Sequence, residues 1–324
     1  MKLRDTDYLF ATMHIRANEK KLLTPQSIER MIEAKTSDEV SKILSDFGYG
    51  TSAMKSFDDV ERVIEDALSD TITTVSEACG NDAIKEVFLL KYDFHNIKSL
   101  IKANFTGADA DHLFSKVSLI PSDELKKALK TEDFSHLPEK MANALISARD
   151  ILSRTQNPEM SDFLLDEACF DMMMDAANRS GSDFLKGYVC LLADAANLRL
   201  AVRLIRRGKA DETGERLLTF GSISKEKFFD KNFAENFSGT AFSKAASLAG
   251  AVADGKADFS PFEKELDIAI SEYMKEAKYV PFDERPIVAY LAAREADATT
   301  VRIIMSGKFM EFTPDEIRSR LRVV

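Results

Sequence analysis

One six-residue pattern recurs three times at nearly constant spacing, and a chain that repeats itself is built from repeated units. Asp93-Phe-His-Asn96-Ile97-Lys98 is echoed 101 residues on by Asp194-Ala-Ala-Asn197-Leu198-Arg199. It returns a further 103 residues on as Asp297-Ala-Thr-Thr300-Val301-Arg302. A second element keeps step with the first. "TPQSIERMI" (24–32), "PSDELKKAL" (121–129), "SKEKFFDKN" (224–232) and "TPDEIRSRL" (313–321) each read as a short helix, with first apolar anchors Ile28, Leu125, Phe228 and Ile317 spaced by 97, 103 and 89 residues. Two elements in one order at a common period define three units, 1–107, 108–212 and 213–324. A long helix within 1–22 followed by "TPQSI" opens the chain, and a long helix followed by "TPDEI", with its short helix in 313–322, ends it. The expectation is that these terminal helices close three units about an axis; an open solenoid would need distinct polar caps.

The units are helical. Apolar residues recur at three and four, as in Val60, Val63, Ile64, Ala67, Leu68 and Ile72. Thr24-Pro25, Asn157-Pro158, Ser260-Pro261 and Thr313-Pro314 each set a capping side chain before a proline suited to the first helical position. Gly48, Gly50, Gly107, Gly208 and Gly307 fall at expected ends and links. The fold class is all-α.

On a helix, Asp93 shares a face with Leu90, Ile97 and Leu100, with Asn96 beside it; Asp194 with Asn197 and Asp297 with Thr300 repeat the arrangement. A carboxylate in an apolar stripe must be hydrogen-bonded, because burying it bare is expensive. In a helical protein the economical partners are free N–H groups at the start of another helix. Each Asp is therefore expected to cap or brace a neighbouring short helix, with Asn or Thr completing the contact. His95 is replaced by Ala196 and Thr299 in the other copies, so the trio Asp93, His95, Asn96 reads as structure and not as catalytic machinery.

The chain carries no glycine-rich phosphate loop, serine nucleophile elbow, paired zinc cysteines or helical His-Glu-x-x-His. No catalytic, metal or cofactor residue emerges. A net charge of −10 argues against a broad nucleic-acid surface, and three scattered cysteines suggest neither a disulfide framework nor an oxidising compartment. The N-terminal stretch has charges on both sides of a short apolar run, unlike a signal peptide, and nowhere do about 18 apolar residues run together as a membrane span requires. One basic group stands out: Arg199, Arg203, Arg206 and Arg207 close the second long helix. It reads either as favourable charge at a helix C-terminus or as a patch for an acidic partner.

With the triplicated unit established, the sequence resembles the central-stalk subunit of V-type and A-type rotary ATPases, the C subunit of prokaryotic complexes and the d subunit of eukaryotic ones. The resemblance is carried by "YLFATMHIRANEKKLLTPQSIERMIEA" with "ILSDFGYG" (43–50), "FLLKYDFHNIKSLIKANFTG" (88–107), "LLADAANLRLAVRLIRRGK" (191–209) and residues 279–322; it is weakest over 108–180. It implies a funnel of three helical-bundle domains with pseudo-threefold symmetry. The funnel would sit as one copy on the cytoplasmic face of the membrane proteolipid ring. The coiled-coil shaft subunit and its small companion would enter its cavity. The resemblance also implies no catalysis, no cofactor, no nucleic acid and no small-molecule substrate, and a part in proton or sodium transport. The rival readings are an unrelated helical scaffold or adaptor, and an all-α enzyme built from scattered carboxylates and arginines.

Overall fold

The computed structural model describes residues 8–109 and 111–322, and every regular element among them is helical. Residues 1–7, where the expected opening helix begins, lie outside the described residues. The α-helices are α1 (Leu9–Asn18), α2 (Pro25–Glu33), α3 (Ser37–Ser45), α4 (Phe57–Ala78), α5 (Asp82–Thr106), α6 (Ser122–Thr131), α7 (Glu139–Thr155), α8 (Pro158–Ser180), α9 (Asp183–Arg206), α10 (Phe233–Asn236), α11 (Ser243–Ala253), α12 (Phe259–Lys275), α13 (Arg285–Phe309) and α14 (Pro314–Arg320).

The helix starts follow side-chain chemistry. Thr24 and Thr313 each accept a hydrogen bond from the backbone N–H three residues on, closing capping boxes ahead of Pro25 and Pro314. Ser56 does the same for α4 and Asn157 caps α8. Ser260-Pro261 departs from expectation. Helix α12 begins at Phe259, so Pro261 lies inside its first turn, where the N–H it lacks would be unpaired anyway. "SKEKF" also departs, forming only a 3-10 turn, Lys225–Phe228. The stretch around it is held by the buried rings of Phe228, Phe233, Phe237 and Phe242 more than by helix.

The chain divides into two compact units. One comprises Asn81–Ala193 with Leu218–Gly221; the other takes the chain up to Gly80, Asp194–Leu217 and Ser222 onward. In the first, α5 lies along α8, with α7 on α8 and α6 on α5. Glu86, Lys98 and Lys102 of α5 pair in turn with Arg179, Asp166 and Asp162 of α8, so the two helices run antiparallel. Being half-exposed, these pairs set register more than stability. In the second unit α13 is the core helix, flanked by α1, α4 and α14, with α11 and α12 paired beside it.

Gly107, at φ 71°, ends α5 in the left-handed conformation that glycine adopts without strain. Gly307 was expected at a helix end but is buried inside α13. A Cβ built there would come 2.6 Å from Ile317 Cγ1, so the glycine lets α14 seat its anchor on α13. Alanine would gain about 1 kcal/mol of helix propensity, yet overpacking costs about 1–3 kcal/mol. Gly307→Ala should therefore lower the urea midpoint and speed amide exchange in α14. An unchanged or raised midpoint would show that this contact does not require glycine.

Candidate functional site

The three repeated aspartates are buried, and each accepts at least one hydrogen bond from a backbone N–H leading into a short helix or 3-10 turn. Asp93 on α5 accepts from Leu119 (3.3 Å) and Ile120 (2.9 Å). Asp194 on α9 accepts from Ser222 (2.9 Å), Ile223 (3.2 Å) and the Ser222 hydroxyl (2.7 Å). Asp297 on α13 accepts from Leu23 (3.1 Å).

The register is constant. Leu23, Ile120 and Ile223 each stand two residues ahead of the first residue of their short element, at Pro25, Ser122 and Lys225. Each also stands five residues ahead of a buried anchor, Ile28, Leu125 and Phe228. The carboxylates thus bond the non-helical lead-in and not the first helical turn. A fourth copy differs: the Phe312 N–H, five residues before Ile317, goes to the Gly307 carbonyl.

The companion positions vary. Asn96 clamps one residue on both sides, donating to the Ser115 carbonyl (2.9 Å) and accepting from its N–H (2.8 Å). Asn197 is buried at the matching place. Thr300 bonds within its own helix, donating to Ala296 O (3.0 Å), because a hydroxyl is too short to span to another segment and back-bonds to the preceding turn instead. His95 is exposed, with Nε2 3.0 Å from Leu113 O.

Sequence reasoning missed Arg294. Its buried guanidinium donates from Nε to Thr71 Oγ1 (3.2 Å) and from Nη1 to the carbonyls of Lys21 (2.9 Å) and Phe47 (3.3 Å). It lies 4.8 Å from the Tyr49 ring centroid and 3.6 Å from Asp297 Oδ2. The signal lay in the repeat itself, since Leu90 and Leu191 occupy the equivalent position three residues before the aspartate. Arg294 and Asp297 together grip both sides of the 21–23 segment, so the third brace joins α13 to a segment 274 residues earlier.

Burial sets the electrostatics. It pushes Asp93 up to about 6, against the pull of the Ile120 and Leu119 N–H groups. It pushes Asp297 up to about 7, outweighing the Leu23 N–H and the Arg294 charge, and it raises Asp194 as well.

The basic group is partly engaged within its own unit. Arg199 (2.7 Å) and Arg203 (3.2 Å) share the buried Glu263 of α12, and the guanidinium groups of Arg203 and Arg206 lie over the Phe259 ring. Arg203, Arg206 and Arg207 keep exposed surface. No group of three or more His, Cys, Asp or Glu placed to hold a metal occurs among the described residues.

Two outcomes test the braces. Asp93→Ala leaves two N–H groups unpaired and should cost on the order of 1–3 kcal/mol; an unchanged melting temperature would contradict the bond's importance. Between the unfolded carboxylate pKa, about 4, and about 7, native Asp297 holds a proton that the unfolded chain has lost. Its contribution is thus full below the unfolded pKa and is lost as pH rises through 7. Wild-type stability should therefore fall relative to Asp297→Asn as pH goes from 4 to 8, read by denaturant titration. Parallel profiles would contradict the raised pKa.

The sequence pattern of the ATP synthase (C/AC39) subunit family matches residues 12–320, and the chain belongs to that family. The C subunit of the V-type sodium ATPase of Enterococcus hirae is 23% identical over 316 residues, covering 96% of each chain. The C subunit of the A-type ATP synthase of Methanocaldococcus jannaschii is 24% identical over 354 residues, 97% of this chain and 86% of that one. Its counterpart in the V-type ATP synthase of Thermus thermophilus is 23% identical over 309 residues, 92% and 93% respectively.

Proposed function

We propose that this C/AC39-family member is a non-catalytic rotor part of a rotary ATPase that joins the central shaft to the proteolipid ring on the cytoplasmic face, in service of proton or sodium transport. One copy would serve each complex, with the coiled-coil shaft subunit and its small companion seated in a socket formed by three related helical units. The observation that carries the reading is the brace repeated three times in one register, Asp93 to Ile120, Asp194 to Ile223 and Asp297 to Leu23. A part that passes torque must not shear internally, and buried hydrogen bonds from backbone N–H groups to a carboxyl oxygen at three equivalent places resist such shear. The third brace, clasping the 21–23 segment from α13, supports closure of the repeat by the terminal helices.

The joint to the ring is proposed to be polar, made by helix ends and charged side chains, with the exposed side chains of Arg203, Arg206 and Arg207 as candidates to meet an acidic partner. Polar joints of complementary charge form and release with salt.

A pull-down from detergent-solubilised membranes tests the assignment. It should recover a proteolipid and a coiled-coil shaft protein, and recovery of neither would overturn the reading. Raising ionic strength should release the solubilised ring. A ring retained undiminished at high salt would contradict the polar joint.

A further inference from the structure

The outward face of α1 is apolar where a helix facing water would carry charge. Its exposed positions are Leu9, Phe10, Met13, His14 and Ala17, and Lys20 is exposed in the 3-10 turn that follows, Glu19–Lys21. None is acidic, in a chain with 54 Asp and Glu against 44 Lys and Arg. Phe10 is 69% exposed and Met13 63%.

The neighbouring segment extends this surface and is fixed to it. Thr12 donates its hydroxyl to the Asp283 carbonyl (3.1 Å), and Arg16 Nη2 donates to the carbonyls of Ala277 (2.9 Å), Lys278 (3.1 Å) and Val280 (3.1 Å). The loop so held presents Tyr279, 84% exposed, and Phe282, 42% exposed. The Lys278 ammonium lies 5.5 Å from the Tyr279 ring centroid. Holding large apolar side chains in water on an ordered scaffold marks an interaction surface.

The charge selects the partner. Across residues 8–21 and 275–285 three of the six cations are paired, Arg16 with Glu19, Lys275 with Glu272 and Arg285 with Asp283, which leaves Lys20, Lys21 and Lys278 beside the rings, although the whole chain carries −10. Aromatic rings beside lysines suit the headgroup layer of an anionic bilayer, where rings sit at the interface and ammonium groups reach the phosphates. The family's complexes are membrane-bound, and no helix among the described residues is long and apolar enough to cross a membrane, so a hold by these helices on lipid would be a surface one.

We propose that the outward face of α1 and the 278–282 loop form a docking surface for an anionic lipid membrane, distinct from the polar joint to the ring. This rests on membership of the family and not on the socket reading. Vesicle flotation of the full chain tests it. The wild type should float with vesicles of phosphatidylcholine mixed with phosphatidylglycerol, and less with phosphatidylcholine alone. Phe10→Ser with Tyr279→Ser should cut flotation about fivefold or more, while Lys20→Glu with Lys278→Glu should abolish only the preference for anionic vesicles. All four positions are exposed, so helicity and melting should stay unchanged. Absence of wild-type flotation, or equal flotation by the Phe10/Tyr279 variant, would overturn the proposal. The Phe10/Tyr279 variant should still capture the solubilised proteolipid ring; loss of that capture would overturn the proposal by assigning the face to a protein partner. Failure of the wild type to capture the ring, with flotation intact, would strike the socket reading and leave this one standing.

Discussion

A carboxylate placed where water cannot reach it is the constraint on which the rest depends. Asp93, Asp194 and Asp297 each sit in the apolar stripe of a long helix, a position that costs free energy unless donors converge on it. The donors are backbone N–H groups of a separate segment, so satisfying the carboxylate fixes where that segment runs. Each bond thus ties a long helix to the lead-in of a short one, and the short element's buried anchor completes the fit. Desolvation still raises all three pKa values, so the bonds offset the cost of burial without cancelling it.

The same interaction does different topological work in its three copies. On α5 and α9 it reaches a segment 26 to 29 residues downstream, whereas on α13 it reaches back 274 residues to Leu23. A contact that closes so long a loop carries a larger entropic cost than a local one. The structure meets it with more than one bond: Arg294 takes the Lys21 and Phe47 carbonyls, Asp297 takes the Leu23 N–H, and Arg16 and Thr12 of α1 bind carbonyls ahead of α13. For a part proposed to carry torque, this reinforcement falls at the place where the chain alone provides no continuity.

Much of this was legible in the sequence. The spacing of Asp93, Asp194 and Asp297 announced a repeat, and Thr24-Pro25 and Thr313-Pro314 announced helix starts, because both signals are carried by residue identity and position alone. What was not legible depends on partners distant in sequence. Gly307 reads as a helix end until Ile317 is seen packed against it. Thr300 reads as a substitute for Asn until its reach is measured. "SKEKF" carries the pattern of its helical cousins, but the Phe228 to Phe242 cluster holds that stretch instead. Arg294 was visible only as a departure from Leu90 and Leu191, and its partners at Lys21, Phe47 and Thr71 could not be read from spacing.

The most direct test of the account is amide hydrogen exchange at Leu23, Ile120 and Ile223. These residues lie in non-helical segments, where exchange is ordinarily fast. The account predicts slow exchange, close to that of the long helices, and selective loss of protection at Leu23 in Asp297→Ala, which removes the acceptor, with Ile120 and Ile223 unaffected. Fast exchange at all three amides in the wild type would contradict it.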